Sequence, residues 1–367
     1  VTGHEPDAAH VGEEQEAQAA APSAVQRRLY VAVPGIRNYL EYGGHGLLVF
    51  DIDRQHAFVK RIPTAGRDEQ GHPLNVKGVC AHAASGRIYI STLRYVTCLD
   101  LVSETILWER SYEGGCDRLA ITPDGQTLFV PSLEGAHWNV VEAASGEVRG
   151  KIVTDSGAHN TIVSLDGRHA YLAGLRSPYL TVVDTQTEKV VGRVGPFSAS
   201  IRPFTVDADA RYCYVNVNEL LGFEVGDLRT GRKVARVEVA GFERGPTKRH
   251  GCPSHGIGLT PDGRELWLTD AANSRLHVFD ATVMPPRQLA SIELRDQPGW
   301  VTFSLDGSLA YPSTGDVIDV GSRRVVAQLT DETGAAVQSE KLLEIDFQAG
   351  RPVQQGDQFG LGRKMRD

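Results

Sequence analysis

Residues 249 to 255 read RHGCPSH and bring an arginine, two histidines and a cysteine into one short segment. Imidazole titrates near neutral pH, so it moves protons or ligates metals. A guanidinium presents a planar, permanently charged fork that fits carboxylate or phosphate. The next residues are ordinary by comparison: GIGLT and ELWLT are short runs of apolar and β-branched side chains, and the PDG between them signals a tight turn. The crowded segment therefore stands at the start of a β-hairpin.

That hairpin recurs. AHAASGRIYIS, LAITPDGQTLFVPS, TIVSLDGRHAYLAG, FTVDADARYCYVNV, GIGLTPDGRELWLTD and VTFSLDGSLAYPST align on Gly86, Gly125, Gly167, Ala210, Gly263 and Gly307, at intervals of 39, 42, 43, 53 and 44 residues. Two more strands follow each hairpin, as in RLHVFD and QLASIEL after ELWLTD. Four strands per period of this length make the blades of a β-propeller. The first repeat has only three strands, RRLYVAV, GLLVFDID and FVKRIP, and lacks the innermost one. KLLEIDF, residues 341 to 347, has no hairpin partner of its own and completes that blade, which closes the ring and removes an open sheet edge. The expected fold is all-β: a seven-bladed β-propeller of four-stranded antiparallel blades over residues 27 to 350. Residues 1 to 26 form a flexible leader or arm, and 351 to 367 a C-terminal tail. The Asp residues that end the third strands, Asp51, Asp100, Asp184 and Asp280, read as turn-capping carboxylates.

The cadence TPDG.ELWLTD....RLHVFD resembles the YVTN-type seven-bladed propellers of bacterial and archaeal envelope and secreted proteins. The resemblance spans roughly residues 27 to 350 and implies architecture more than chemistry, since such propellers include binding proteins, surface-layer components and enzymes. With the start at Val1, it implies a secreted or periplasmic protein. Ala210 in place of a turn glycine and the insertion PGIRNYLEYGGHG depart from the repeat.

In such a blade the innermost strand starts at the face to which the second-to-third strand loop returns, and functional groups collect there. Eight residues ahead of each turn stand Gly78, Asp117, His159, Arg202, His255 and Gly299, beside Lys77, Arg118, Asn160 and Trp300. The loops add Arg37, Tyr39, Tyr42, His45, Arg94, Glu134, His137, Trp138, Arg176, Asn218, Glu219, Asp270 and Asn273 as a rim, and the long fifth interval adds Lys248, Arg249 and His250. Arg37, Arg94, Arg118, Arg176, Arg202 and Arg249 around one mouth on an acidic chain point to an anionic ligand. Tyr39, Tyr42, Trp138 and Trp300 add flat surfaces that suit a sugar, so the expected partner is a small anionic molecule or acidic carbohydrate. Two chemistries fit. His159 and His255, with His137 or else His45, His82 or His250 as a further ligand, hold a divalent metal that assists a hydrolase or lyase. Alternatively an arginine neutralises a uronate carboxylate while His159, His255 or Tyr39 removes a proton, a β-elimination for which some propeller polysaccharide lyases offer a fold-level likeness.

A net charge of −8 argues against a sequence-independent nucleic-acid binder, and no apolar run approaches the roughly 20 residues that span a bilayer. Five cysteines without a CxxC spacing indicate neither a zinc ribbon nor a disulfide scaffold. The competing class is a non-catalytic interaction scaffold in a cell-envelope complex, with the N-terminal arm docked on a protein partner.

Overall fold

The hairpin repeats become strands because their β-branched runs alternate across a pleat and their turns supply the required backbone. In the computed structural model, which describes residue 2 and residues 24 to 364 except 248, Gly125, Gly167, Gly263 and Gly307 all sit at φ of 70 to 73°. That left-handed region favours glycine. The Asp before each of these glycines accepts the backbone N–H of the residue after it, as Asp262 does from Arg264 at 3.0 Å, and also accepts from a Ser or Thr hydroxyl two residues earlier. Ala210 keeps the same turn at φ 51°, a strain of about 1 kcal/mol. The third-strand aspartates behave as turn caps: Asp100 accepts from Val102 and Ser103, Asp184 from Thr187 and Asp280 from Thr282.

Seven antiparallel blades of four strands stand in a ring. Blade two is representative, with Val76–His82, Arg87–Thr92, Tyr95–Asp100 and Ile106–Ser111 in order from the axis outward. Blade one is composite. Leu342–Gln348 pairs antiparallel with Gln26–Val33, which continues to Gly46–Asp51 and Ala57–Ile62. The apolar faces of neighbouring blades pack on each other: Tyr30, Val49 and Leu343 meet Val79, Ile88 and Ile90 of blade two, while Leu29, Val31 and Phe50 meet Tyr311, Val317 and Leu329 of blade seven. Each such side chain, fully buried, contributes about 1.5–3 kcal/mol, so closure is held by packing on both sides of the composite blade.

The strand at 341 to 347 was expected to have no hairpin partner. The structure supplies one, since Arg351–Gln355 pairs with it and extends the sheet to five strands. The chain then crosses the axis at the end opposite the mouth. Thr302 donates to the Asp357 carbonyl, Trp300 to Gln358, Thr205 and Leu259 to Gly360, and Arg363 to Pro261, so the tail bonds to blades five, six and seven. Gly360, at φ 62°, crosses so near Gly258 that a Cβ on it would lie 2.8 Å from the Gly258 Cα. The expected leader over residues 1 to 26 falls largely outside the described residues. Among the described residues, no helix is long and apolar enough to cross a membrane.

Candidate functional site

Strand starts from all seven blades deliver side chains to one end of the axis. His159 and Arg202 are the second residues of Ala158–Val163 and Ile201–Val206. Arg118, His255 and Glu340 each stand two residues before an innermost strand, and these strands begin at Ala120, Ile257 and Leu342. Lys77 lies in Val76–His82, and Trp300 directly precedes Val301–Phe303.

Asp117 is fully buried and accepts from His159 Nδ1 at 2.6 Å, with Lys77 Nζ 3.5 Å from its other oxygen. Burial alone would raise its pKa, but His159 and Lys77 outweigh it and hold the carboxyl at about 2. Burial lowers the His159 pKa despite Asp117, so the ring is neutral at neutral pH. An ionised Asp117 fixes the proton on Nδ1, and the Nε2 lone pair faces Arg118 Nη1 at 3.3 Å. Arg118 lies over Trp300, 4.2 Å from the ring centroid, and its Nη2 reaches Glu340 Oε2 at 2.5 Å. Lys341 Nζ adds a second cation on that oxygen at 2.7 Å and also donates to the Gly35 carbonyl at 2.8 Å. Burial works against ionised Glu340, yet Lys341, His250 and Arg118 hold it well below the usual carboxylate range. Burial in turn brings Lys341 down to about 7, against the pull of Glu340. His255 donates Nδ1–H to the Gly299 carbonyl at 2.8 Å, which leaves a lone pair on its Nε2, and burial holds its pKa well below the ordinary histidine value.

The extra segment of the fifth interval lies across this cluster like a strap. Arg37 and Arg202 donate to the Arg249 and Gly251 carbonyls at 2.9 and 3.2 Å, and the Arg249 side chain reaches Tyr42, Asp296 and Gln338. His250 is thereby brought to Glu340 Oε1 at 2.8 Å. A glycine is required opposite: a Cβ on Gly299 would lie 2.1 Å from His250 Nδ1. A cavity of about 230 Å³ remains, bounded by Arg37, Lys77, Arg118, Glu134, His159, Arg202, Arg249, His250, His255, Glu340 and Lys341.

Among the residues expected at the mouth, the structure gathers His159, His255, Arg37, Arg118 and Arg202 around this cavity together with Lys77, Glu134, Arg249 and His250, with Asp117 behind His159 and Trp300 beneath Arg118. The others lie elsewhere. Trp138 is buried between blades three and four and donates to Thr161; Arg94 is paired with Glu69; Arg176 holds the Glu134 carbonyl; Asn218 accepts from Arg202. Tyr39 packs on Tyr42 and beneath Arg249, and His137 opens the third strand of blade three away from the cavity lining. Lys248 lies outside the described residues. Glu340 and Lys341 were missed as site residues, although Lys341 opens the strand read at the C-terminus and Glu340 directly precedes it.

His250, His255 and Glu340 bring one potential metal-ligating atom each within 4.8 Å of one another. Glu340 already carries two buried cations, however, and a unit charge 4 Å from another costs about 4 kcal/mol at an effective dielectric of 20. Repulsion doubles for a dication and only one carboxylate offsets it, so the set is poorly suited to a divalent metal.

No protein-family model matches the chain, and no curated protein matches its sequence. Solved structures do. Kuenenia stuttgartiensis hydrazine synthase superposes with a TM-score of 0.60 at 16% identity, covering 78% of this chain and 89% of that one. The dihydro-heme d1 dehydrogenase NirN in complex with DHE gives 0.61 at 15% over 91% and 73%, and the Cps50 (Swd1) β-propeller domain of Myceliophteria thermophila 0.61 at 13% over 80% and 97%. At such identities the likeness shows the propeller fold alone.

Proposed function

We propose that this propeller binds a small anionic molecule in its axial cavity and that His159, oriented by Asp117, accepts a proton there. The observation that carries this reading is the cavity's charge: Arg37, Lys77, Arg118, Arg202, Arg249 and Lys341 line it against Glu134 and Glu340. A ligand anion that draws Arg118 Nη1 away frees the His159 Nε2 lone pair, so binding and base activation are one event. The same groups serve β-elimination from a carboxylate-bearing substrate, with an arginine on the carboxylate. A sugar ring has less support, because Trp138 is in the core, one face of Trp300 is covered by Arg118, and Tyr39 and Tyr42 pack with Arg249. The volume also lies below the roughly 300–1,000 Å³ of pockets for drug-sized ligands. NirN, a similar fold in complex with DHE, supports a ligand-carrying role for such a propeller. The repeat cadence supports placement with YVTN-type propellers and, with them, outside the cytoplasm.

Two or three charge-assisted hydrogen bonds of about 1.5–3 kcal/mol each correspond to dissociation constants of about 6 mM or tighter. Calorimetric titration with galacturonate, succinate, phosphate and neutral glucose tests the reading. At least one anion binds in that range, Lys77→Met weakens it tenfold or more, and glucose does not bind. Anion affinity untouched by Lys77→Met, or equal binding of glucose, contradicts it.

A further inference from the structure

The charge balance of the mouth defines the ligand further, on the basis of the anionic reading. Three carboxylates near the cavity are already engaged: Asp117 with Lys77 and His159, Glu340 with Arg118, Lys341 and His250, and Asp296 with Arg249. Two guanidiniums have no such counterpart. Arg37 donates to the Arg249 carbonyl alone, and Arg202 donates to Asn218 Oδ1 at 2.6 Å and the Gly251 carbonyl; neither meets a carboxylate among the described residues. With Glu134 counted, six basic side chains face Asp117, Glu134, Asp296 and Glu340. Lys341, brought down to about 7, is half-protonated at neutral pH and mostly neutral near pH 8, so one to two positive charges stay uncompensated when the histidines are taken as neutral, and the two unmatched guanidiniums carry them. The two guanidiniums also hold carbonyls only two residues apart, so they sit at either end of one short segment beside the cavity. Neutral acceptors satisfy their hydrogen bonds but not their charge, and a guanidinium fork exchanges a carbonyl for an oxyanion with a gain in bond strength.

We propose that the mouth selects a compact dianion, a short dicarboxylate or a phosphate monoester, over monoanions, with Arg202 and Arg37 as the residues that discriminate. Arg202 is half-buried and Arg37 exposed, so Arg202 carries the larger share, because solvent screens exposed charge.

The test is titration of the full chain at fixed ionic strength and about pH 8, where phosphate is a dianion. Succinate, inorganic phosphate and acetate are the probes, with Arg202→Met, Arg202→Lys and Arg37→Met as variants. The expected result is that succinate or phosphate binds at least tenfold more tightly than acetate, the tighter of the two identifying the source of the dianion. Arg202→Met reduces that preference to threefold or less while acetate still binds, and Arg202→Lys restores part of it. Melting temperatures of the variants within a few degrees of the parent show that the fold is kept. If acetate binds as well as both dianions, the dianion inference falls and the anionic reading stands. If none of the three binds, the anionic reading itself fails and takes this inference with it.

Discussion

Asp117 stays ionised in the interior because His159 and Lys77 lie against it, and that fixes how the protein responds to acid. Its pKa of about 2 lies below the ordinary carboxylate value of 3.8. The folded state therefore gains stability that is present above pH 4 and lost as pH falls toward 2, about 2 kcal/mol. The histidines act earlier. His56, bonded to Tyr311 at 3.0 Å, is lowered by burial from 6.5 to about 4, so the unfolded chain takes up a proton that the folded one refuses, and about 3 kcal/mol is lost as pH falls from 6.5 to 4. Urea denaturation at pH 7, 5 and 4 checks this: stability falls across the whole range in the parent, and His56→Gln makes the fall shallower. At this scale the sequence exposed His159, His255, Arg118 and Arg202 because repeat alignment brings equivalent positions to one axis. Glu340 and Lys341 were not legible because the strand they lead into, Leu342–Gln348, forms its hairpin with Arg351–Gln355, which carries no apolar alternation and so no repeat signature.

The strap from Arg249 to Cys252 is the element that partly covers the ring of strand starts and leaves an open-mouthed cavity beneath it. Its place was visible in the 53-residue interval, but its course was not. Its anchors Arg37 and Tyr42 belong to blade one, Gln338 to the stretch before the closing strand, and Asp296 to the stretch before blade seven, and no local pattern encodes contacts between segments so far apart in the chain. Gly299 is where this element is most easily broken. Gly299→Ala places a methyl into the His250 ring and displaces it from Glu340 at an overpacking cost of about 1–3 kcal/mol. Anion affinity measured by calorimetry falls tenfold or more, with circular dichroism unchanged; an unchanged affinity would show that His250 has no part in the site.

At the scale of the whole molecule, period and closure were legible in the sequence, since a three-stranded first repeat and a spare C-terminal strand complete each other. The tail was not, because GDQFGLGRK has no period and its backbone partners lie in other blades. That tail backs the site: Trp300 carries Arg118 on one side and bonds the Gln358 carbonyl on its indole edge, with Phe359 packed against it at 5.9 Å. Truncation after Gln355 keeps the propeller by circular dichroism, lowers the melting temperature in calorimetry, and weakens anion binding through loss of support for Trp300. The central claim is that positive charge gathered at the axis forms an anion site. Its most direct test is a crystal of the protein soaked in bromide and measured at the bromine absorption edge. The account predicts an anomalous peak in the cavity among Lys77, Arg118 and Arg202; bromide on surface arginines with none in the cavity would contradict it.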